Sequence, residues 1–374
     1  MDPIIPQPGN ERDPRNFVGR AATTHQARQR LQEGANLILS DPRRMGKTFW
    51  MRTFAAREPG FRSFLIDYEG VGTSQEFFSR TAQALTTSRP VQKVLKSIAE
   101  HVESVSVPGI FTLKPAHRGT PPQQLLTDIL QALSTDRGED VLLVLMDEVP
   151  MAIDNIAQHE GHQTASEILQ TLRWLRDHTQ IRWIVAGSIG FHHVLHRIGS
   201  TAGHLNDLES LPLGPLPAEE ASELAQRLLL GIGQQPTDDV VQALVEVCGG
   251  IPFLLQKVTA SLRQRPVASA DEVRDCFETF IDDPDEFGWF EHWVTRIEPY
   301  YGEQTDAAEE VLKAALSQDH GWTPDTDLSP EASRVIDYLI KDHYLERRGT
   351  TIRWRYPVLQ YIWARRKGVW DRPA

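Results

Sequence analysis

At 374 residues the chain is well beyond the ~150 residues of one ordinary domain, which excludes a single small module and predicts two or three domains. A hydrophobic fraction of 40% beside 24% charged residues supports a normal core and excludes global disorder. The net charge of −12 disfavours nucleic-acid binding over the whole surface, yet nine basic face three acidic side chains between Lys341 and Ala374, so any phosphate-backbone contact is expected at that end.

Residues 1–16 read as a polar, Pro-rich leader without the basic and apolar blocks of a signal peptide, and no run is long enough for a membrane anchor. Cys248 and Cys276 match no zinc spacing, which leaves a reducing, cytoplasmic setting as the expectation. Phe17 opens a helical stretch to about Gly34, followed by a buried strand, Asn36 to Ser40. The loop 41–46 and the helical pattern beginning at Lys47 come next. Further strands are expected at Phe64–Asp67, Val141–Glu148 and Ile181–Ser188, with helices between them, including Ala165–Asp177. These apolar runs are continuous rather than alternating, the pattern of strands covered on both faces, and they predict a parallel α/β sheet over 17–216. Residues 91–122 break the rhythm and read as an insertion. Helical patterns dominate 217–281 (218–230, 238–248, 252–263, 271–281), and Asp282-Asp283-Pro284-Asp285 marks a linker. From 286 to the end, helices at 305–317 and 330–343 precede two alternating strands around Gly349, the outline of a winged helix.

Chemistry concentrates in two places. Gly46-Lys47-Thr48 stands between strand and helix, where backbone N–H groups and a helix N-terminus face a polyphosphate. Lys47 would reach the β- and γ-phosphates and Thr48 would offer its hydroxyl to Mg²⁺. The full pattern asks for Gly where Asp41 stands. Its carboxylate either crowds the phosphates and weakens affinity, or turns away to stabilise the turn. Asp147-Glu148 closes the most apolar strand, and adjacent carboxylates at a buried strand end call for a cation or a reaction. In ATPases of this layout the first holds the Mg²⁺ shell and the second polarises the attacking water. His192, His193 and His196 lack an acid pattern that would complete a metal site.

Taken in order, Phe17-Val18-Gly19-Arg20, Pro42-Arg43-Arg44-Met45-Gly46-Lys47-Thr48, Asp147-Glu148, Gly187-Ser188, Gly249-Gly250-Ile251-Pro252 and Arg355-Tyr356-Pro357-Val358-Leu359 resemble the archaeal-type P-loop ATPases of the STAND and AAA+ assemblage. That resemblance implies a P-loop α/β domain, a helical lid and a C-terminal winged helix. It makes Val18, Gly19, Arg20, Gly250 and Pro252 candidate nucleotide contacts, beside loop residues Arg43, Arg44, Met45, Gly46, Lys47, Thr48 and Phe49. It also makes Ser188 a γ-phosphate sensor and Arg197 a candidate arginine supplied to a neighbouring subunit.

The expected function is therefore Mg²⁺-dependent ATP hydrolysis used as a conformational switch, with ATP as ligand and a protein partner or second copy as reader. Two alternatives stay open: a slow or inactive nucleotide binder that licenses a partner protein, and a DNA-binding ATPase of replication or transposition type. For the latter, Arg347, Arg348, Arg353 and Arg355 would line a wing.

Overall fold

The computed structural model describes residues 1–85, 105–106, 112–113, 122–134, 139–187, 190–200, 202–264, 269–295, 297–316, 321–324 and 330–369. They divide into two compact units. One comprises Ala21–Ser40 and Trp50–Pro212; the other comprises Met1–Arg20, Asp41–Phe49 and Leu213–Ala374. Among the described residues, no helix is long and apolar enough to cross a membrane.

The first of these units is the α/β one. In chain order it contains α1 (Ala21–Gln32), β1 (Asn36–Leu39), the body of α2 (Lys47–Arg57), β2 (Phe61–Asp67), α3 (Ser74–Leu85), the short pair β3 (Val105–Ser106) and β4 (Thr112–Leu113), and α4 (Pro122–Ser134). It continues with β5 (Val141–Asp147), α5 (Val149–Glu160), α6 (His162–His178), β6 (Arg182–Ala186), α7 (Phe191–Arg197) and β7 (Leu208–Ser210). Five strands form one sheet in the order β2-β5-β6-β1-β7, with every neighbouring pair parallel. This is the expected P-loop α/β sheet. Leu143, Val144, Leu145 and Met146 of β5 are fully buried, because β5 is paired on both edges and covered on both faces. Asn36 spends its polar side chain inside the sheet, where its Oδ1 accepts the Trp183 N–H at 3.0 Å.

The structure adds a fifth strand, β7, to the four expected. Its three residues are half-buried or exposed on the sheet edge, so no apolar run announces it; its pairing with β1 does. The sequence gap between neighbours reverses direction at β1, which lies between β6 and β7. Open α/β sheets bind ligands at the carboxyl ends of strands beside such a reversal. The phosphate loop leaves β1 at that end. Apart from β3, β4 and Pro122, the insertion expected at 91–122 lies outside the described residues.

The other unit is mostly helical: α8 (Ala218–Gly231), α9 (Asp238–Cys248), α10 (Pro252–Ser261), α11 (Ala270–Asp282), α12 (Phe287–Val294), α13 (Ile297–Tyr301), α14 (Thr305–Ala314) and α15 (Pro330–Lys341), then the hairpin β8 (Leu345–Arg348) and β9 (Thr351–Trp354), and α16 (Pro357–Arg366). Proline opens α10, α15 and α16, where its missing N–H costs nothing. Ser269 and Glu272 cap α11 reciprocally. Two hydrophobic clusters form here, one around α8–α11 and one around α14, α15 and the hairpin. Helix α16 serves both: Val358, Leu359 and Ile362 enter the first cluster, Trp363 and Ala364 the second. A helix buried on two faces shows no one-sided pattern, which is why its boundaries are hard to read from sequence. The leader is fastened to the same unit. Ile4 is buried and its N–H donates to Arg227 O at 2.8 Å, while Gln7 N–H donates to Gln256 Oε1 at 2.9 Å.

Candidate functional site

The loop from Asp41 to Gly46 links β1 to α2, which begins at Lys47. Arg44 (φ 75°) and Gly46 (φ 88°) are left-handed, while Arg43 and Met45 are not. Alternating signs of φ turn successive backbone N–H groups toward one concavity, the geometry that receives anions. Thr48 and Phe49 occupy the first turn of α2, whose unpaired N–H groups add positive potential at its start. Phe49 packs edge-on against Phe17 at 5.2 Å. The Lys47 ammonium is 6% exposed by residue and donates to the carbonyls of Asp41 and, at 3.0 Å, Pro42. It thus lies along the loop's own backbone. Met45 is buried in the helical cluster around α8–α11 and pins the middle of the loop.

Two residues hold the loop to the segment 213–215. Asp41 is fully buried, and its carboxylate oxygens accept the N–H groups of Leu213 (2.8 Å) and Gly214 (2.9 Å). Of the two readings open for Asp41, the structure displays the structural one: both oxygens are engaged by backbone. Arg20, also left-handed at φ 67°, takes the carbonyls of that segment. Its guanidinium donates to Leu213 O, Gly214 O (2.6 Å), Pro215 O (3.3 Å) and Met45 O (3.2 Å), and its own N–H donates to Glu220 Oε2 at 2.8 Å. Burial lowers the Arg20 pKa despite the nearby Asp41 and Glu220 charges. Val18 is buried in the same cluster. Gly250 O accepts the Leu216 N–H at 2.8 Å, and Pro252 opens α10, so these residues sit at the next turn of the same unit.

Trp293, Phe253 and Trp289, which no sequence motif flags, touch the loop, and the charges of Asp41 and its neighbours reach His343 and Tyr356. Arg43 O accepts the Trp293 Nε1–H at 3.3 Å, and the Arg44 guanidinium faces the rings of Phe253 (4.5 Å) and Trp289 (5.3 Å). His343 is buried and left-handed at φ 63°. Its pKa is lowered chiefly by burial, with Asp41 and Asp342 opposing and Arg355 and Lys47 assisting. Tyr356 is pushed up, again chiefly by burial. Aromatic residues in a helical region read as core, and no local spacing marks their reach to a loop some 200 to 300 residues earlier.

In the α/β unit, Asp147 ends β5 with 2% exposure, and its Oδ1 accepts the Glu148 N–H at 3.1 Å. The strand ends one residue before the sequence suggests: Glu148 is the N-cap of α5 and adopts φ 55°, ψ 30°. A left-handed Glu is uncommon and carries a backbone cost on the order of 1–3 kcal/mol, a kind of strain that clusters at working sites. Arg197, in the last turn of α7, places Nη1 2.7 Å from both oxygens of the buried Asp154 on α5. Ser188 lies outside the described residues.

No family model matches the chain, and no curated protein matches it. Among solved structures, the Walker-type ATPase PABY2304 of Pyrococcus abyssi superposes with a TM-score of 0.65 at 16% identity, over 94% of this chain and 97% of that one. The Thermotoga maritima RuvB Holliday junction branch migration motor matches at 0.43 and 12% identity, covering 93% and 96%. The Aeropyrum pernix ORC2 protein matches at 0.44 and 13% identity, covering 98% and 97%. The likeness to the Pyrococcus ATPase shows a shared P-loop fold.

Proposed function

We propose that this chain binds ATP and hydrolyses it slowly enough to serve as a conformational switch, in the manner of STAND and AAA+ ATPases. The observation that carries this reading is the loop itself: alternating φ signs at 43–46, then Lys47 opening a helix directly after a central parallel strand. Backbone N–H groups of the loop and the first turn of α2 neutralise the β- and γ-phosphates, joined by the Lys47 ammonium. The donor set fits Mg²⁺, since the Thr48 hydroxyl and the buried Asp147 carboxylate are hard oxygen ligands. When bound, the ion supplies charge neutralisation on the phosphate oxygens.

Glu148 orients the attacking water and accepts its proton. The water oxygen bonds to the γ-phosphorus as the bond to the bridging oxygen breaks, which leaves ADP and phosphate. Val18, Gly19, Gly250 and Pro252 are proposed to border the nucleoside, and Ser188 to sense the γ-phosphate. Arg20 is assigned to the scaffold, because its donors already serve four carbonyls. Arg197 is left out of the proposed machinery, since serving a phosphate would break its pair with Asp154.

The switch reading is supported by the company the loop keeps, which is α10 and α12 rather than solvent alone. The rival reading of an inactive binder rested on an Asp41 carboxylate near the phosphates, and that carboxylate is engaged by backbone. The DNA reading is disfavoured because Glu346 pairs with both Arg348 (3.0 Å) and Arg353 (2.6 Å), and Asp337 lies 3.9 Å from Arg347. The same two arginines hold the Glu346 pKa low, although burial alone would raise it. Titration of the full-length protein with Mg²⁺ and ATP, with hydrolysis followed in parallel, tests the proposal. Binding that survives Lys47→Ala unchanged would overturn it.

A further inference from the structure

We propose that Arg44 is a positioning residue of the phosphate loop, acting through an aromatic seat made by Phe253 of α10 and Trp289 of α12 rather than by gripping phosphate. The inference rests on the nucleotide-binding reading and deepens it by naming what sets the loop's shape. Arg44 holds a left-handed backbone (φ 75°) that a bulky side chain adopts only where its surroundings demand it. It stands two residues before Gly46, inside the run of alternating φ that aims the loop's N–H groups. What fixes the Arg44 side chain therefore helps to set the concavity, beside Met45 and Asp41.

The seat is specific. Phe253 and Trp289 meet with ring centroids 5.5 Å apart and planes inclined by 36°, and the guanidinium carbon lies 4.5 Å and 5.3 Å from the two centroids. A guanidinium over aromatic faces is held by the ring quadrupole and can remain there without an acid partner. Among the described residues Arg44 has no carboxylate partner, and its Nε is buried without an acceptor. Burial, and then the neighbouring Arg43 charge, lower its pKa. The leader also approaches the half-buried guanidinium, since a Cβ placed on Gly9 would stand 2.8 Å from Arg44 Nη1.

Trp289 is itself held. Lys257 Nζ lies 4.7 Å from its ring, and Glu286 orients that ammonium at 2.8 Å. One turn further along α12, Trp293 donates to Arg43 O. Helix α12 thus grips adjacent loop residues, one by its backbone and one by its side chain. Moving the guanidinium onto a phosphate would empty the seat, so a group built to grip phosphate would not be seated this way.

A double-mutant cycle on the full-length protein separates positioning from direct contact. Arg44→Gln removes the cation, Phe253→Leu removes one face, and Phe253→Tyr keeps the face as the control. Affinity for Mg²⁺ and ATP is measured by direct titration, and amide exchange of 287–294 is followed without nucleotide. Each single change is expected to weaken binding roughly three- to tenfold, the scale of one lost cation–π contact. The double variant should be no weaker than the poorer single variant, Phe253→Tyr should stay within about twofold of wild type, and exchange in 287–294 should quicken in both single variants. A loss of about a hundredfold or more in Arg44→Gln with Phe253→Leu unchanged would make Arg44 a phosphate ligand and overturn the proposal. Multiplying effects, or unchanged affinity in both, would overturn it too. If the wild type binds no ATP, the nucleotide reading fails by itself, and unchanged exchange in 287–294 would still refute the seat.

Discussion

The phosphate loop and the carboxyl end of β5 carry the two halves of the proposed chemistry, and they are built in opposite ways. Asp147 and Glu148 are placed by the junction of two regular elements: an apolar strand paired with β2 and β6 delivers Asp147, and the left-handed cap of α5 turns Glu148. The loop is shaped from far away in sequence. Asp41 is tied to residues 172 and 173 positions later, and Arg20 to carbonyls 193 to 195 positions later. A locally built site can be altered chemically without disturbing the fold, whereas a remotely braced loop joins function to stability.

The largest effect expected is at β5. Glu148→Gln should bind Mg²⁺ and ATP as the wild type does, while turnover falls on the order of 10²- to 10⁴-fold, the usual contribution of a general base. Its urea midpoint should barely move, with a stability change within about 0.5 kcal/mol. Parallel turnover and urea titrations check this, and a large loss of stability would break the comparison from the β5 side.

Lys47→Ala comes next. Loss of a charge-assisted contact to the phosphates should weaken ATP binding roughly ten- to a hundredfold by direct titration. Because Lys47 also bridges two loop carbonyls, a modest drop in stability should accompany it.

The braces themselves give the sharpest contrast. Asp41→Gly leaves the N–H groups of Leu213 and Gly214 without acceptors, and Arg20→Met leaves up to four carbonyls without donors. Each should lower stability by about 2–3 kcal/mol in urea titrations. Asp41→Gly should also fail to tighten ATP binding. Tighter binding with unchanged stability would mean that the carboxylate repels the nucleotide and braces nothing.

The smallest effect concerns pH. His343 has a folded pKa below its ordinary 6.5, so below that pH the unfolded chain takes up a proton that the native chain resists. Its contribution is present above about pH 6.5 and is lost as pH falls toward the folded pKa, with a slope of up to about 1.4 kcal/mol per pH unit. His343→Asn tolerates the left-handed backbone and removes the titration, so it should flatten stability between neutral pH and about pH 5.5. An identical acid slope in both proteins would show that His343 is not its source.

Much of this architecture is legible in the amino-acid sequence because its causes are local. Continuous apolar runs at 36–39 and 141–147 dictate buried parallel strands, and Gly46-Lys47-Thr48 between strand and helix dictates an anion-receiving turn. The helix at 238–248 and the hairpin about Gly349 follow from periodicity and turn chemistry in the same way. Other features have no local cause and wait on the folded chain. The three residues of β7 become a strand only because β1 offers them an edge. Asp41, which breaks the phosphate-loop pattern, proves to be a brace only when residues 213 and 214 arrive to donate to it. The seat around Arg44 likewise joins residues 44, 253 and 289. Periodicity reports which face of an element is buried, but a hydrogen bond or a ring contact between distant residues exists only after tertiary packing has brought donor and acceptor together.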